Sequence, residues 1–212
     1  MIEFIEIKDA DHADFKEAMR IYTESFPPNE RHPVETVKHR LENGLYRLYI
    51  GKSGNKVVLA ALLYPLKNTN FILFDYMAID KHHRNRGIGT EFVRTLVKSL
   101  RKNKANKYLI LEVENPDCGD NREQRRRRLS LYRRLGAKEM KNVRYILPAL
   151  SGGNSPTEMI LMVLPNYNNG KMKGTLARKL IRRVYWELYN RGRNDKLLNK
   201  FINDIGDTVK LV

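Results

Sequence analysis

The feature that most constrains the fold is a basic, glycine-bearing loop between an apolar segment and an amphipathic one. Phe71–Ile79 is largely apolar and predicts a strand, and the loop Arg84–Gly89 follows it closely. Apolar residues then recur at helical spacing, which predicts a helix, and Tyr108–Val113 is nearly continuous in apolar character, as expected for a buried strand. A strand, a helix and a second strand in this order predict two parallel strands joined by a right-handed crossover.

The segments on either side complete a mixed α/β pattern. Residues 2–7 alternate and predict a strand, and the apolar runs 45–50 and 57–64 flank a turn, which predicts a β-hairpin. Helices are predicted after Asp11, at 34–41 and at 123–135, and a terminal strand pair at 143–147 and 159–164. The predicted order is β-α-α-β-β-β-loop-α-β-α-β-β.

The loop Arg84-Asn85-Arg86-Gly87-Ile88-Gly89-Thr90 has the composition of an anion site. It places backbone N–H groups at the start of a helix and adds two arginines, a combination that suits a phosphate. A P-loop is excluded because it requires Gly-Lys-Ser/Thr. A dinucleotide-binding motif is disfavoured because Phe92 stands where it requires a third glycine. A glycine-rich turn that only begins a helix is the alternative.

Three elements together resemble the GNAT superfamily of acyl-CoA-dependent N-acetyltransferases. Arg-x-x-Gly-x-Gly after a strand ending Tyr76–Ile79 is similar to the family's cofactor motif, Leu109–Glu114 lies where its fifth strand is expected, and Leu131–Ala137 is similar to its Leu-Tyr-x-x-x-Gly-Phe segment. The resemblance covers residues 1–165. It implies an α/β fold with a mixed, mostly antiparallel central sheet of GNAT type and splayed fourth and fifth strands. We predict a linker at 166–174 and a basic helical C-terminal extension at 175–212.

The resemblance also implies a cofactor site and an activity. The backbone N–H groups of residues 86–90 are expected to hold the pyrophosphate of coenzyme A, and the backbone of the preceding strand the pantetheine arm and acetyl group. The implied cofactor-binding residues are Met77, Ala78, Ile79, Arg84, Arg86, Gly87, Ile88, Gly89 and Thr90. The expected reaction is direct attack of a primary amine, on a small molecule or a peptide, on acetyl-CoA, without a metal. A longer acyl group remains open.

Four residues are candidates for the chemistry. Tyr132 matches the family's general acid, and a core tyrosine is the alternative. Asp75 is a candidate base because it alternates with Met77 and Ile79 and so shares their face. Glu112 and Glu114 share a face of the next strand, where desolvation raises the pKa of a carboxyl. A structural carboxylate paired with an arginine, or a water relay, is equally open.

The C-terminal part carries most of the charge. The net charge is +16, and residues 121–212 hold 21 basic and 7 acidic side chains, against 19 and 17 before them. Residues 175–190 form a basic amphipathic pattern. Such a helix can dock on the domain, form a homodimer seam, or contact nucleic acid or an anionic membrane. A basic nucleic-acid-binding or ribosome-associated module is therefore the alternative function.

The remaining composition indicates the compartment and the metal chemistry. Cys118 is the only cysteine, so an internal disulfide and a cysteine-based zinc site are excluded. No apolar run approaches the ~20 residues that span a bilayer, and no signal peptide is visible, so we expect a cytoplasmic protein. The adjacent His82 and His83 lack a carboxylate at ligand spacing. Glu30 is a candidate for attracting the acceptor amine.

Overall fold

The computed structural model describes residues 1–102, 108–118, 121–150 and 155–212. The strands are β1 Glu3–Ile7, β2 Arg47–Ser53, β3 Lys56–Pro65, β4 Phe71–Ile79, β5 Tyr108–Glu114, β6 Lys138–Glu139, β7 Tyr145–Leu147, β8 Thr157–Leu164, β9 Lys171–Lys173 and β10 Thr208–Lys210. The helices are α1 Phe15–Ser25, α2 Val34–Glu42, α3 Ile88–Lys102, α4 Arg122–Arg134, α5 Gly174–Arg183 and α6 Lys196–Asn199, and a π-helical turn, Val184–Leu188, extends α5.

The chain forms two compact units. The first contains residues 1–65 and 74–96, and the second contains residues 66–73, 97–149 and 155–212. Strand β4 begins in the second unit and ends in the first. The strand order is β1-β2-β3-β4-β5-β8-β6, with β7 also paired to β8 and with β4 and β5 parallel. The prediction of a mixed, mostly antiparallel sheet is confirmed.

The first unit is built on an antiparallel hairpin. Ile5 pairs with Ile50 across β1 and β2, and Tyr49 pairs with Ala61 across β2 and β3. Residues 57–64 of β3 are all buried, which explains why this strand is apolar on both faces. Helix α1 packs against β3 with its apolar stripe, and the Phe92 ring of α3 lies 5.3 Å from that of Phe4.

The second unit is organised around β8. Its residues pair with β5 along one edge, as in Ile110 with Val163, and with the short strands β6 and β7 along the other. Helix α4 packs against β5 and ends where Gly136 adopts φ +89°, the left-handed conformation that a glycine stop predicts. Helix α4 and its stop agree with the predicted helix 123–135.

The C-terminal segment, residues 166–212, packs within this second unit. Helix α5 and the π-helical turn bury Ala177, Leu180, Ile181, Val184, Tyr185 and Leu188. The Tyr185 hydroxyl donates to the backbone oxygen of Ile146, and Met172 pairs with Val209 in a separate two-stranded sheet, β9–β10. The stretch 166–174 thus contains a strand and the first residue of α5. The division of the chain into domain, linker and extension stays a prediction.

None of the helices in the described ranges is both long enough and apolar enough to cross a membrane.

We expect Gly174→Ala to destabilise the protein. A Cβ atom at Gly174 would lie 1.9 Å from the backbone oxygen of Gly206, so the backbone itself must move. The expected loss is about 1–3 kcal/mol of unfolding free energy, measured by urea denaturation. Gly192→Ala is the matched control because its Cβ would meet no atom within 4 Å. Equal effects of the two substitutions would refute this reading of Gly174.

Candidate active site

The end of β4 presents one half-buried face. Asp75, Met77 and Ile79 are partly exposed, whereas the alternating residues Tyr76 and Ala78 are buried. Since successive side chains in a strand point to opposite faces, Asp75 shares its face with Met77 and Ile79, as predicted. The first unit therefore brings together Asp75, the three predicted contact residues of β4 and the whole glycine loop.

Asp80 fixes the start of the loop. Its backbone N–H donates to Val58 O at 3.0 Å, and its Oδ1 accepts from the backbone N–H of His82 at 3.0 Å. His83 Nδ1 lies 3.0 Å from the same oxygen, and Arg20 Nη2 donates to Oδ2 at 3.1 Å. These hydrogen bonds, led by that of His83, hold the pKa of Asp80 well below its usual range.

Sequence reasoning missed Asp80. Its signal was available: an aspartate directly before a polar turn is a typical capping residue, and Asp80 caps the 3-10 turn Lys81–His83. What the sequence did not show is Arg20, which reaches this carboxylate from α1.

The two glycines of the loop serve different purposes. Gly87 adopts φ +76°, and a Cβ there would meet no atom within 4 Å, so backbone conformation is what requires glycine. At Gly89 a Cβ would lie 3.2 Å from both Met77 Cε and Ile79 Cδ1. Gly89 therefore allows the first turn of α3 to pack closely on β4.

The first turn of α3 supplies amide donors. The N–H of Glu91 donates to Gly87 O at 3.0 Å, so the N–H groups of Ile88, Gly89 and Thr90 precede that bond and have no acceptor within the helix. Such a terminus carries a partial positive charge and suits an anion. Within the predicted set of residues 86–90, Ile88, Gly89 and Thr90 thus have the donors that a phosphate requires.

The two loop arginines differ in what they contact. Arg84 donates from Nε to Ile79 O at 3.2 Å and from Nη2 to Ser25 Oγ at 3.4 Å, so it braces the loop against β4 and α1. Arg86 is exposed, and its side chain makes no ion pair or hydrogen bond within the described ranges. Arg86 is therefore the loop cation best placed to meet a phosphate.

Asp75 belongs to a partly buried polar network. It accepts a hydrogen bond from the Tyr46 hydroxyl, and Arg40 Nη1 donates to the same hydroxyl oxygen at 3.1 Å. Burial, the negative charge of Asp75 and their hydrogen bond raise the pKa of Tyr46 well above its ordinary value. Any proton acceptance by Asp75 must therefore compete with its bond to Tyr46.

In the second unit, the two carboxylates of β5 have different surroundings. Glu114 forms ion pairs with Arg128 and, at 3.7 Å, with Arg125, which matches the structural reading of a paired carboxylate. Glu112 accepts hydrogen bonds from the hydroxyls of Tyr145 and, at 2.7 Å, Tyr189. Burial raises the pKa of Glu112 to about 7, and the two tyrosine bonds partly oppose that rise.

Tyr132 is a buried phenol in the same unit. It is 7% exposed on α4, and burial raises its pKa to about 12 while the charge of Arg128 acts in the opposite direction. Its proton is therefore retained throughout the physiological pH range, which a general acid requires before it donates.

A match to known sequences identifies the family. The sequence model of the acetyltransferase (GNAT) family matches residues 15–136. The chain belongs to the GNAT acetyltransferase family. The match includes β4, the glycine loop, β5 and the Leu-Tyr segment of α4, so the predicted resemblance is confirmed.

Solved GNAT structures share the fold. A protein of Bacteroides thetaiotaomicron assigned to the GNAT family aligns with a TM-score of 0.72 at 21% identity, covering 88% of this chain and 98% of its own. A GNAT acetyltransferase of Elizabethkingia anophelis with acetyl-CoA bound aligns at 0.52 and 18% identity, covering 77% and 97%. The ribosomal-protein-S18-alanine N-acetyltransferase of Escherichia coli aligns at 0.55 and 19%, covering 80% and 97%.

A curated relative extends the sequence similarity. An uncharacterized protein of Dictyostelium discoideum is 35% identical over 116 residues, which are 53% of this GNAT chain and 25% of that protein. The chain thus spans about a quarter of the length of that relative.

The raised pKa of Glu112 predicts a stability that depends on pH. An ordinary glutamate titrates near 4.3 when unfolded, whereas folded Glu112 titrates at about 7. Between these two pH values the folded state binds a proton that the unfolded state has released. The parent protein therefore loses about 3 kcal/mol of unfolding free energy as the pH rises from the lower value through 7. A glutamine side chain cannot titrate, so the stability of Glu112→Gln relative to the parent should increase from pH 5 to pH 8.

Urea denaturation at both pH values measures that difference. Glu158→Gln is the control because the Glu158 side chain is 41% exposed. A parent-to-variant difference that is the same at pH 5 and pH 8 for Glu112→Gln would contradict a raised pKa.

Proposed function

We propose that the protein is an acetyl-CoA-dependent N-acetyltransferase that moves the acetyl group to a primary amine by direct attack. The observation that carries the proposal is the start of α3 in a chain of the GNAT family: the left-handed Gly87 precedes three helix amides, and Arg86 beside it has no side-chain partner among the described residues. The acetyl-CoA bound to the Elizabethkingia protein, which shares this fold, supports the choice of acyl donor.

The proposed binding roles follow from the contacts of each residue. The amides of Ile88, Gly89 and Thr90 donate to the pyrophosphate, and Arg86 adds a positive charge. Met77 and Ala78 contact the pantetheine arm through their backbone. The Ile79 oxygen already accepts from Arg84, which makes Ile79 the weaker acceptor of the three.

Acetyl-CoA supplies the acetyl group as an activated thioester. In the proposed reaction the amine nitrogen bonds to the carbonyl carbon while the carbon–sulfur bond breaks. The departing sulfur takes the proton of the Tyr132 phenol, which is later replaced from solvent. The amine in turn must give up a proton to a base or to a water relay.

Among the predicted bases, Glu112 has the best-matched proton affinity. A pKa near 7 suits acceptance of a proton at neutral pH, whereas Glu114 is occupied by ion pairs with two arginines. Asp75 accepts a hydrogen bond from Tyr46, as Glu112 does from two tyrosines, so the pKa of Glu112 and not its bonding decides the order. We therefore assign Glu112 as the first base to test, with Asp75 second.

The comparisons lend no support to the alternative in which the chain is only a basic nucleic-acid-binding module. They leave the acceptor amine unspecified. A screen for thiol release across polyamines, amino acids, aminoglycosides and peptides would identify the acceptor class.

Gly87→Ala should weaken acetyl-CoA binding while the protein stays folded. The substitution forces a side chain into φ +76°, so the loop must relax and re-aim its amides. We expect at least about tenfold weaker binding by isothermal titration calorimetry, equivalent to ~1.4 kcal/mol. Gly54→Ala is matched: φ is +56° there, a Cβ would also meet no atom within 4 Å, and the residue lies in the β2–β3 turn. If both variants bind equally well, the loop does not hold the diphosphate.

Tyr132→Phe should slow turnover and leave acetyl-CoA affinity within about twofold. Removing a general acid costs roughly 100-fold or more in kcat, whereas the phenyl ring preserves the packing. The measurement is thiol release with the best acceptor from the screen, together with calorimetric affinity. A parallel loss of kcat and affinity would instead assign Tyr132 a structural role.

A further inference from the structure

A basic pocket lies beside α5, outside every residue assigned to the acetyl transfer. Lys179, Arg182, Arg183 and Trp186 recur at i, i+3, i+4 and i+7, so they share one face of the continuous helical segment. The helical segment ends before Asn190, which adopts φ +57°, and the chain then turns back. Residues 191–193 and Leu198 thereby close a pocket of about 470 Å³.

The pocket lining carries five cations and no acidic side chain: Lys179, Arg182, Arg183, Arg191 and Arg193. Two of them are neutralised nearby, Arg183 by Glu187 at 3.0 Å and Arg191 by Asp195 at 3.1 Å. Lys179 Nζ donates to Asn68 O at 2.8 Å.

Arg182 and Arg193 are different. Both are exposed, and among the residues that the structure describes neither side chain has an ion-pair or hydrogen-bond partner. They are the two pocket cations whose donors are available to an anion.

Trp186 supplies an aromatic surface in the same pocket. It is 56% exposed, although its neighbours Val184, Tyr185 and Leu188 are buried, and the Arg183 guanidinium lies 5.5 Å from the centre of its ring. An indole that is left open to solvent forgoes the free energy that burying it would provide. Its exposed face can instead stack against a planar ring. Trp186 is the only tryptophan of the chain.

We propose that this pocket binds a nucleotide, with the base stacked on Trp186 and the phosphate held by Arg182 and Arg193. Five positive side chains disfavour a cation, and an apolar ligand would make no use of the guanidinium donors of Arg182 and Arg193. The volume suits one small ligand, since such pockets measure roughly 300–1,000 Å³. A free nucleotide and a unit of single-stranded nucleic acid present the same chemistry. The proposal does not depend on the acetyltransferase assignment.

The fluorescence of Trp186 tests the proposal directly, because the protein has no other tryptophan. A ten-residue oligouridylate should quench it saturably, as should uridine monophosphate at a higher concentration. An affinity for the oligomer at least about tenfold tighter identifies nucleic acid as the source, and equal affinities identify the free nucleotide. The titration is done on the full chain without acetyl-CoA.

Two double variants with the same loss of charge locate the contact. Arg182→Gln/Arg193→Gln should weaken oligouridylate binding at least about tenfold and reduce the slope of log affinity against log salt by ~1.4, as two lost phosphate contacts predict. Lys171→Gln/Lys200→Gln removes two exposed cations outside the pocket and should have a much smaller effect. Trp186→Ala, followed with a labelled oligomer, should lose at least about fivefold through stacking.

Three outcomes would overturn the proposal. The first is an absence of quenching, and the second is an equal effect of the two double variants. The third is inorganic polyphosphate or phosphatidylserine vesicles binding as tightly as the oligomer, with Trp186→Ala having no effect.

Discussion

The carboxylate of Asp80 holds together the point at which β4 becomes the glycine loop. The Asp80 side chain accepts hydrogen bonds from Arg20 of α1 and from the His82 amide of the 3-10 turn, and it contacts His83 in the same turn. The Asp80 backbone N–H donates to Val58 of β3. The loop can therefore place Gly87 in a left-handed conformation at a defined position above β4. The amides proposed to bind phosphate depend on a carboxylate that need not touch the phosphate itself, since an acidic group beside an anion would repel it.

The net charge of the chain overstates the charge that is available to partners. In the second unit Arg125 and Arg128 pair with Glu114, and Arg183 and Arg191 each have a carboxylate within 3.1 Å. Each of these pairs brings a negative charge next to a positive one and so cancels part of the local field. Arg86 in the loop, and Arg182 and Arg193 beside α5, are among the basic side chains that have no such partner within the described ranges. Binding by charge therefore depends on the unpaired side chains at each site and not on the total.

The sequence predicted those parts of the fold whose signals are local. The bounds of β4 agree to the residue, and α4 ends at the glycine that predicts its end, because apolar periodicity and a left-handed glycine act within a few positions. The pairing of β9 with β10 joins Met172 to Val209 through three-residue strands, which are too short to carry a periodic signal. The helix predicted after Asp11 begins at Phe15, and Asp14 occupies its N-cap position without a side-chain cap hydrogen bond. For the candidate site, the sequence identified the residue types and the strand faces on which they lie. It did not identify partners such as Tyr46 for Asp75, because such partners lie far apart in the chain.

Glu112 shows why the C-terminal segment matters to the chemistry of β5. Tyr189 reaches it across 77 residues of sequence, and Tyr145 reaches it from β7, so its protonation depends on elements that no local pattern connects to it. Burial alone would raise its pKa further, and the two hydroxyl donors bring it back to about 7. Because each donor favours the ionised form, the C-terminal segment tunes a carboxyl of the central sheet towards the pH at which it can exchange a proton. Packing of this segment is thus coupled to the protonation of Glu112 as well as to stability.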